Sequence, residues 1–228
     1  MSNNKRVDIL TPVARLVRGS LYNGNDKDAE GRPLVVKNGP DAGKPRLDYF
    51  FAVAIPKGPE RHWAETEWGA KIWQVGHTAF PNGQAQRPDF AWKVTDGDSQ
   101  IPNKKGKKPC DQEGYRGHWV IGFSSGFAPR IFNADGSQQL LEPDFVKLGY
   151  YVQVFGQVAG NGSDSQPGVY LNHSMVAFAA YGPEISVGPD ASAVGFGGAP
   201  LPAGASAAPV GGAFNPAPVP TPGAVPAI

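Results

Sequence analysis

Residues 149–158 read GYYVQVFGQV, and the alternation in that run decides the fold class. In an extended chain, successive side chains point to opposite faces. Tyr150, Val152 and Val154 then share one face, and Tyr151, Gln153, Phe155 and Gln157 the other. The first set reads as core. The second sets aromatic rings beside amides, the composition of the solvent-facing side of a half-buried strand.

Working outward, the same reading extends to four more segments. VYLNHSMVAFAAY (169–181) follows across a Gly/Asn/Ser/Asp loop (159–168), and HWVIGFSS (118–125) precedes. LDYFFAVAIP (47–56) is aromatic and β-prone. LTPVARLVRGSLY (10–22) alternates with Val13, Arg15 and Val17 on one side and Ala14, Leu16 and Arg18 on the other. Between the second and third strands, Gly58-Pro59-Glu60 offers a helix start, and Ala64, Trp68, Ile72 and Val75 recur at helical spacing to seal one end of the sheet. The expectation is a mainly β domain of five strands and one helix.

The intervening segments are polar. Residues 23–46 are rich in Gly, Asp, Asn, Lys and Pro and read as a long mobile loop; residues 81–116 also read as loop. From 186 to 228 the chain turns to Ala, Pro and Gly with one charged residue, Asp190, and is expected to be a disordered tail. The domain itself is therefore placed at 1–185.

Composition narrows the function classes. Thirty glycines and 23 prolines favour turns and short strands over long helices. The net charge of +1 argues against binding by bulk attraction to phosphate. All 21 Lys and Arg fall at or before Lys147, however, so residues 1–147 carry +4. Cys110 is the only cysteine, which excludes an internal disulfide and a cysteine-rich zinc site and fits a cytosolic protein. No segment approaches the roughly 18 apolar residues of a membrane span, so no membrane partner is expected.

Tyr151 and Phe155 on a wet strand face suggest a platform for nucleobases, each stacked base contributing on the order of 1–3 kcal/mol whatever its identity. Tyr170, Trp119 and Phe123 on neighbouring strands could extend it. Lys104, Lys105, Lys107 and Lys108, with Tyr115 and Arg116 just after, form the one dense basic cluster, and Arg15, Arg18, Lys93 and Arg130 lie near strand ends where phosphates could track. Asp96, Asp98, Asp111 and Glu113 could be imagined as the magnesium site of a nuclease, but Asp-Gly is a strong turn signal and no base lies near in sequence. His62, His77, His118 and His173 lack metal-ligand spacing, and no phosphate-cradling glycine loop is present. The residues thus point to single-stranded DNA binding with no catalytic residue, metal or cofactor. A structural β-domain of a virion is the alternative, and a metal-dependent nuclease a weaker one.

In this order, the motifs VARL-RGSLY, DYFFAVAIPK, VTDGD, EGYRGHWVIGFSS, APRIFNADG, LGYYVQVFGQVAG and PGVYLNHSMVAF resemble those of the OB-fold single-stranded DNA-binding proteins of tailed bacteriophages. The resemblance covers most of residues 10–182. It implies a five-stranded OB-fold barrel whose contacts include the loops at 23–46 and 159–168, with Arg32, Lys37, Lys44 and Arg46 closing over DNA. It further implies a role in phage replication and recombination in the cytoplasm of the infected host cell, with phage replication proteins as further partners. Tails of such binders are often acidic; the tail here is nearly uncharged.

Overall fold

The computed structural model describes residues 6–28, 30–36, 39–103 and 105–186, together with Gly188, Pro202 and Ala203. The chain divides after Ser186, and every element below lies in the first unit. The tail expected at 186–228 falls almost wholly outside the described residues.

Eight strands form one sheet: β1 (Val7–Leu10), β2 (Ala14–Gly19), β3 (Tyr49–Pro56), β4 (Val94–Asp96), β5 (His118–Ser125), β6 (Arg130–Phe132), β7 (Tyr151–Gly160) and β8 (Val169–Ala180). Their order is β4-β5-β3-β2-β7-β8-β6, with β1 also on β7, and all pairings but β6–β8 are antiparallel. The five-stranded barrel expected from sequence is corrected to this eight-stranded sheet. The first strand breaks in two at buried Thr11, whose Oγ1 accepts from the Val154 amide at 3.0 Å, so that one long β7 takes both pieces. The short β4 and β6 lie in stretches too brief and polar for alternation to show. The sheet curls until β5 and β8 pack together, but no ladder joins them among the described residues. Instead the His173 ring on β8 donates from Nε2 to the Tyr49 carbonyl of β3 at 2.8 Å and lies against Phe51.

The core follows the alternation. Val152, Val154 and Val158 of β7 meet Phe51, Val53 and Ile55 of β3 and Trp119, Ile121 and Phe123 of β5. Helix α1 (Glu67–Ala79) buries Trp68, Ile72 and Val75 against it, the stripe predicted from spacing. Its start lies further on than Gly58-Pro59 suggested. Thr66 supplies the cap instead, its Oγ1 accepting from the Gly69 amide at 3.0 Å, and a 3-10 turn over Trp63–Glu65 leads into it. No helix among the described residues is long and apolar enough to cross a membrane.

The segment between β2 and β3 is a paired arm rather than a structureless loop. Bridges at Asn25–Asp48, Lys27–Pro33 and Val35–Pro45 make it an irregular hairpin. Asp28 binds Arg32 through its backbone and side chain, and that binding holds the Asp28 carboxyl below the usual range.

Candidate nucleic-acid interface

The outer face of β2, β3 and β5 is built by one irregularity. In β2 the pairing with β3 shifts register between Leu16 and Arg18, a bulge that inserts Val17 as an extra residue. Leu16 still enters the core, Val17 joins a small cluster on the outer side with Ala52, Ala54, Tyr115 and Val120, and Arg18 emerges exposed beside it. Strict alternation puts Arg18 on the side of Leu16; the bulge re-aims it. Gly19, at φ 82°, is required next, since a Cβ there would lie 2.1 Å from the Phe50 carbonyl oxygen.

Arg18 sits with its guanidinium carbon 5.6 Å from the centre of the Phe50 ring, an aromatic–cation pair on the open face. Phe50 alternates with Phe51, which is fully buried, so β3 sends one ring inward and one outward. Beneath the outward ring lies Gly122 of β5; a Cβ there would stand 3.2 Å from the ring. Absence of a side chain at 122 is what lets Phe50 lie down on the sheet.

Lys93 enters the same groove from the residue before β4, as does Tyr170 from β8, half exposed at 51%. Lys93 has φ 63°, a left-handed backbone unusual for a side-chain-bearing residue, and its carbonyl accepts from the Gly122 amide at 3.0 Å. Asp48 closes the groove at the end of the arm, and the whole space measures about 380 Å³. Tyr115 forms part of the floor but is buried, and burial pushes its hydroxyl up while Arg18 nearby pulls it back.

The other sequence candidates disperse. Trp119 and Phe123 are inside, 6% and 0% exposed, which removes them as open platforms; β5 turns Val120, Gly122 and Ser124 outward instead. Tyr115, likewise sealed at 5%, offers no free ring face. Arg15 is committed to backbone, donating to the carbonyls of Gly149 at 3.2 Å and Pro183 at 2.8 Å. Arg116 donates to the Cys110 carbonyl at 2.6 Å. Lys105, Lys107 and Lys108 are exposed on a turn organised by Asn103, while Lys104 lies outside the described residues. In the arm, Arg32 pairs with Asp28 and Glu30, and Lys44 with Asp41; Arg46 is exposed without an ion pair among the described residues, and Lys37 lies outside them.

Tyr151 and Phe155 do face outward and are half-buried, as alternation indicated. Phe155 lines a second groove of about 200 Å³ with Leu10, Phe132, Gln153 and Met175, apolar and without a charged lining residue. None of its residues lines the Phe50 groove. Arg130 lies near by on β6, 5.8 Å from the Phe132 ring.

Asp96 and Asp98 share a cation already. Lys57 Nζ contacts Asp96 at 2.5 Å and Asp98 at 2.7 Å, and lies over the Trp119 ring at 4.3 Å. Desolvation acts to lower the Lys57 pKa, but the bonds from both carboxylates outweigh it and raise it; Lys57 and the Gly117 amide in turn hold Asp98 down. The Lys57 ammonium thus neutralises both carboxylates of this pair, and among the described residues no group of three or more acidic, His or Cys side chains is placed to hold a metal ion.

Solved structures of phage single-stranded DNA-binding proteins are similar to this chain in fold. In particular, the single-stranded DNA-binding protein of bacteriophage Enc34, in complex with ssDNA, aligns over 78% of this chain and 89% of its own at a TM-score of 0.53 and 14% identity. The same protein in a second structure aligns over 82% and 89% at 0.50 and 14%. Bacteriophage T7 gp2.5, also a single-stranded DNA-binding protein, aligns over 78% and 93% at 0.44 and 12%. At 14% identity the likeness to the Enc34 protein is one of fold. No protein-family model and no curated protein matches the sequence.

Proposed function

We propose that the chain binds single-stranded DNA with broad sequence tolerance, as an OB-fold-type domain acting in phage DNA replication and recombination in the cytoplasm of the infected host cell. One observation carries the reading: an outward aromatic ring, Phe50, paired with Arg18 in an open groove that Lys93 and Tyr170 also line. Rings take the bases and cations the phosphates, the division of labour of sequence-tolerant binders. The arm leaves after Arg18 and returns at Asp48, both of which line the groove, so its Arg46 is placed to add a phosphate contact. The sharing of fold with a protein solved on ssDNA supports the same reading. No chemistry on the DNA is part of the proposal, and phage replication proteins are its further partners.

Binding is assigned to residues 1–185, so a chain ending after Ile185 should keep its affinity for an oligo-dT ligand. Anisotropy of a labelled oligo-dT at low salt tests the groove. Phe50→Ala should weaken binding by about 1–3 kcal/mol, and Tyr170→Ala by a similar amount. Tyr151→Ala and Phe155→Ala, outside the Phe50 groove, should change it little. Loss of binding only in the second pair would move the site to β7; no binding by the unaltered protein would end the proposal.

A further inference from the structure

The groove lined by Arg18, Lys93, Phe50 and Tyr170 contains one carboxylate, that of Asp48. Its place is fixed by backbone: the Asp48 amide donates to the Asn25 carbonyl at 2.8 Å and the Asn25 amide to the Asp48 carbonyl at 2.9 Å. Strand alternation puts the Asp48 side chain on the Phe50 side of the chain. The two residues are separated by about 7 Å along the strand, and both line the groove. The side chain is half-buried and has no ion pair among the described residues.

A carboxylate is an odd choice for a groove meant only to hold phosphates, since it repels them. It is also a group with one hydrogen-bonding sense: ionised, it accepts and never donates. Cytosine, adenine and guanine each present an exocyclic amino group to such an acceptor, whereas uracil and thymine present two carbonyls flanking a single N–H. The hydroxyls of Ser124 and Thr95 in the same groove can turn either way and so cannot discriminate. We propose that Asp48 reads the edge of the base stacked on Phe50 and favours bases that carry an amino group. This rests on the DNA-binding reading above and adds a modest preference to a tolerant site.

The test uses the full chain and oligonucleotides of equal length made of dC, dU or N4,N4-dimethyl-dC. Cytosine and uracil have the same ring size and no methyl group, so their stacking is closely matched. Oligo-dC should bind about fivefold more tightly than oligo-dU, the scale of one directed hydrogen bond. The dimethylated strand, which has no amino hydrogens, should bind like oligo-dU. Asp48→Ala should bring oligo-dC and oligo-dU within about twofold of each other. Equal affinity of the unaltered protein for dC and dU would overturn the inference, as would an equal gain on all three strands in Asp48→Ala, which would mean that the carboxylate only repels phosphate. If Asp48→Ala does not fold, the three strands on the unaltered protein decide alone. Failure to bind any strand would instead remove the DNA-binding reading itself.

Discussion

The Phe50 ring packs against the outer cluster, with the Arg18 guanidinium at 5.6 Å and the bare Cα of Gly122 beside it. Gly122→Val should lift the ring from the sheet and weaken oligo-dT binding about tenfold while leaving the aromatic in place; unchanged affinity would show that the ring need not lie flat. Lys93 holds a left-handed backbone at φ 63°, a conformation that costs a side-chain-bearing residue about 1–2 kcal/mol. Lys93→Gly should therefore stabilise the fold modestly in urea melts, glycine's greater unfolded freedom offsetting part of the gain, yet bind DNA more weakly. His173 carries a pH dependence. Burial lowers its pKa below the ordinary value, the bond to the Tyr49 carbonyl opposing in part, and its Nδ1 has no hydrogen-bond partner among the described residues. The unfolded chain then takes up the proton first, so stability is fully present above about pH 6.5 and declines as pH falls below it. Urea midpoints measured from pH 7.5 to 5.5 should fall for the native protein and fall less for His173→Gln, which retains a donor for Tyr49.

Among the elements, β7 was the most legible because both its faces are used: Val152, Val154 and Val158 in the core, Tyr151, Gln153 and Phe155 outside. What alternation could not convey is what each outward face meets. Phe155 looks onto Leu10 and Met175, whereas the cations gather around Phe50, a residue passed over in the run LDYFFAVAIP. A signal was present there, for Phe50, Ala52 and Ala54 alternate with Phe51, Val53 and Ile55, and the two small residues mark a face over which other side chains pack, here Val17, Tyr115 and Val120. Arg18 was misplaced because a bulge has no mark in alternation; only Gly19 hints at it. Trp119 and Phe123, expected on the platform, lie in the core and were misplaced for a related reason. HWVIGFSS is apolar on both sides, since Val120 packs in the outer cluster, and only Gly122 distinguishes the faces. The bulge is also the weak point of β2. Gly19→Ala, which sets a Cβ against the Phe50 carbonyl at positive φ, should cost at least about 2 kcal/mol in a urea titration and lower DNA affinity in step by moving Arg18.

At the scale of the molecule, residues 1–147 carry only +4, so under the proposed function the domain has to concentrate its cations where the DNA lies. The fold does so by spending many of them elsewhere: Arg15 on backbone carbonyls, Lys57 on Asp96 and Asp98, Arg32 and Lys44 within the arm. Arg18 and Lys93 line the groove and Arg46 stands two residues before Asp48 in the arm, so log affinity against log salt should fall with a shallow slope of about −2 to −3; a much steeper slope would bring in the lysine turn at 105–108. The most direct test of the groove is photocross-linking of an oligonucleotide carrying 5-iodo-deoxyuridine, followed by mass spectrometry of the joined peptides. Cross-links at Phe50 or Tyr170 are predicted. Cross-links confined to Tyr151 and Phe155 would contradict the groove and return the DNA to the face of β7.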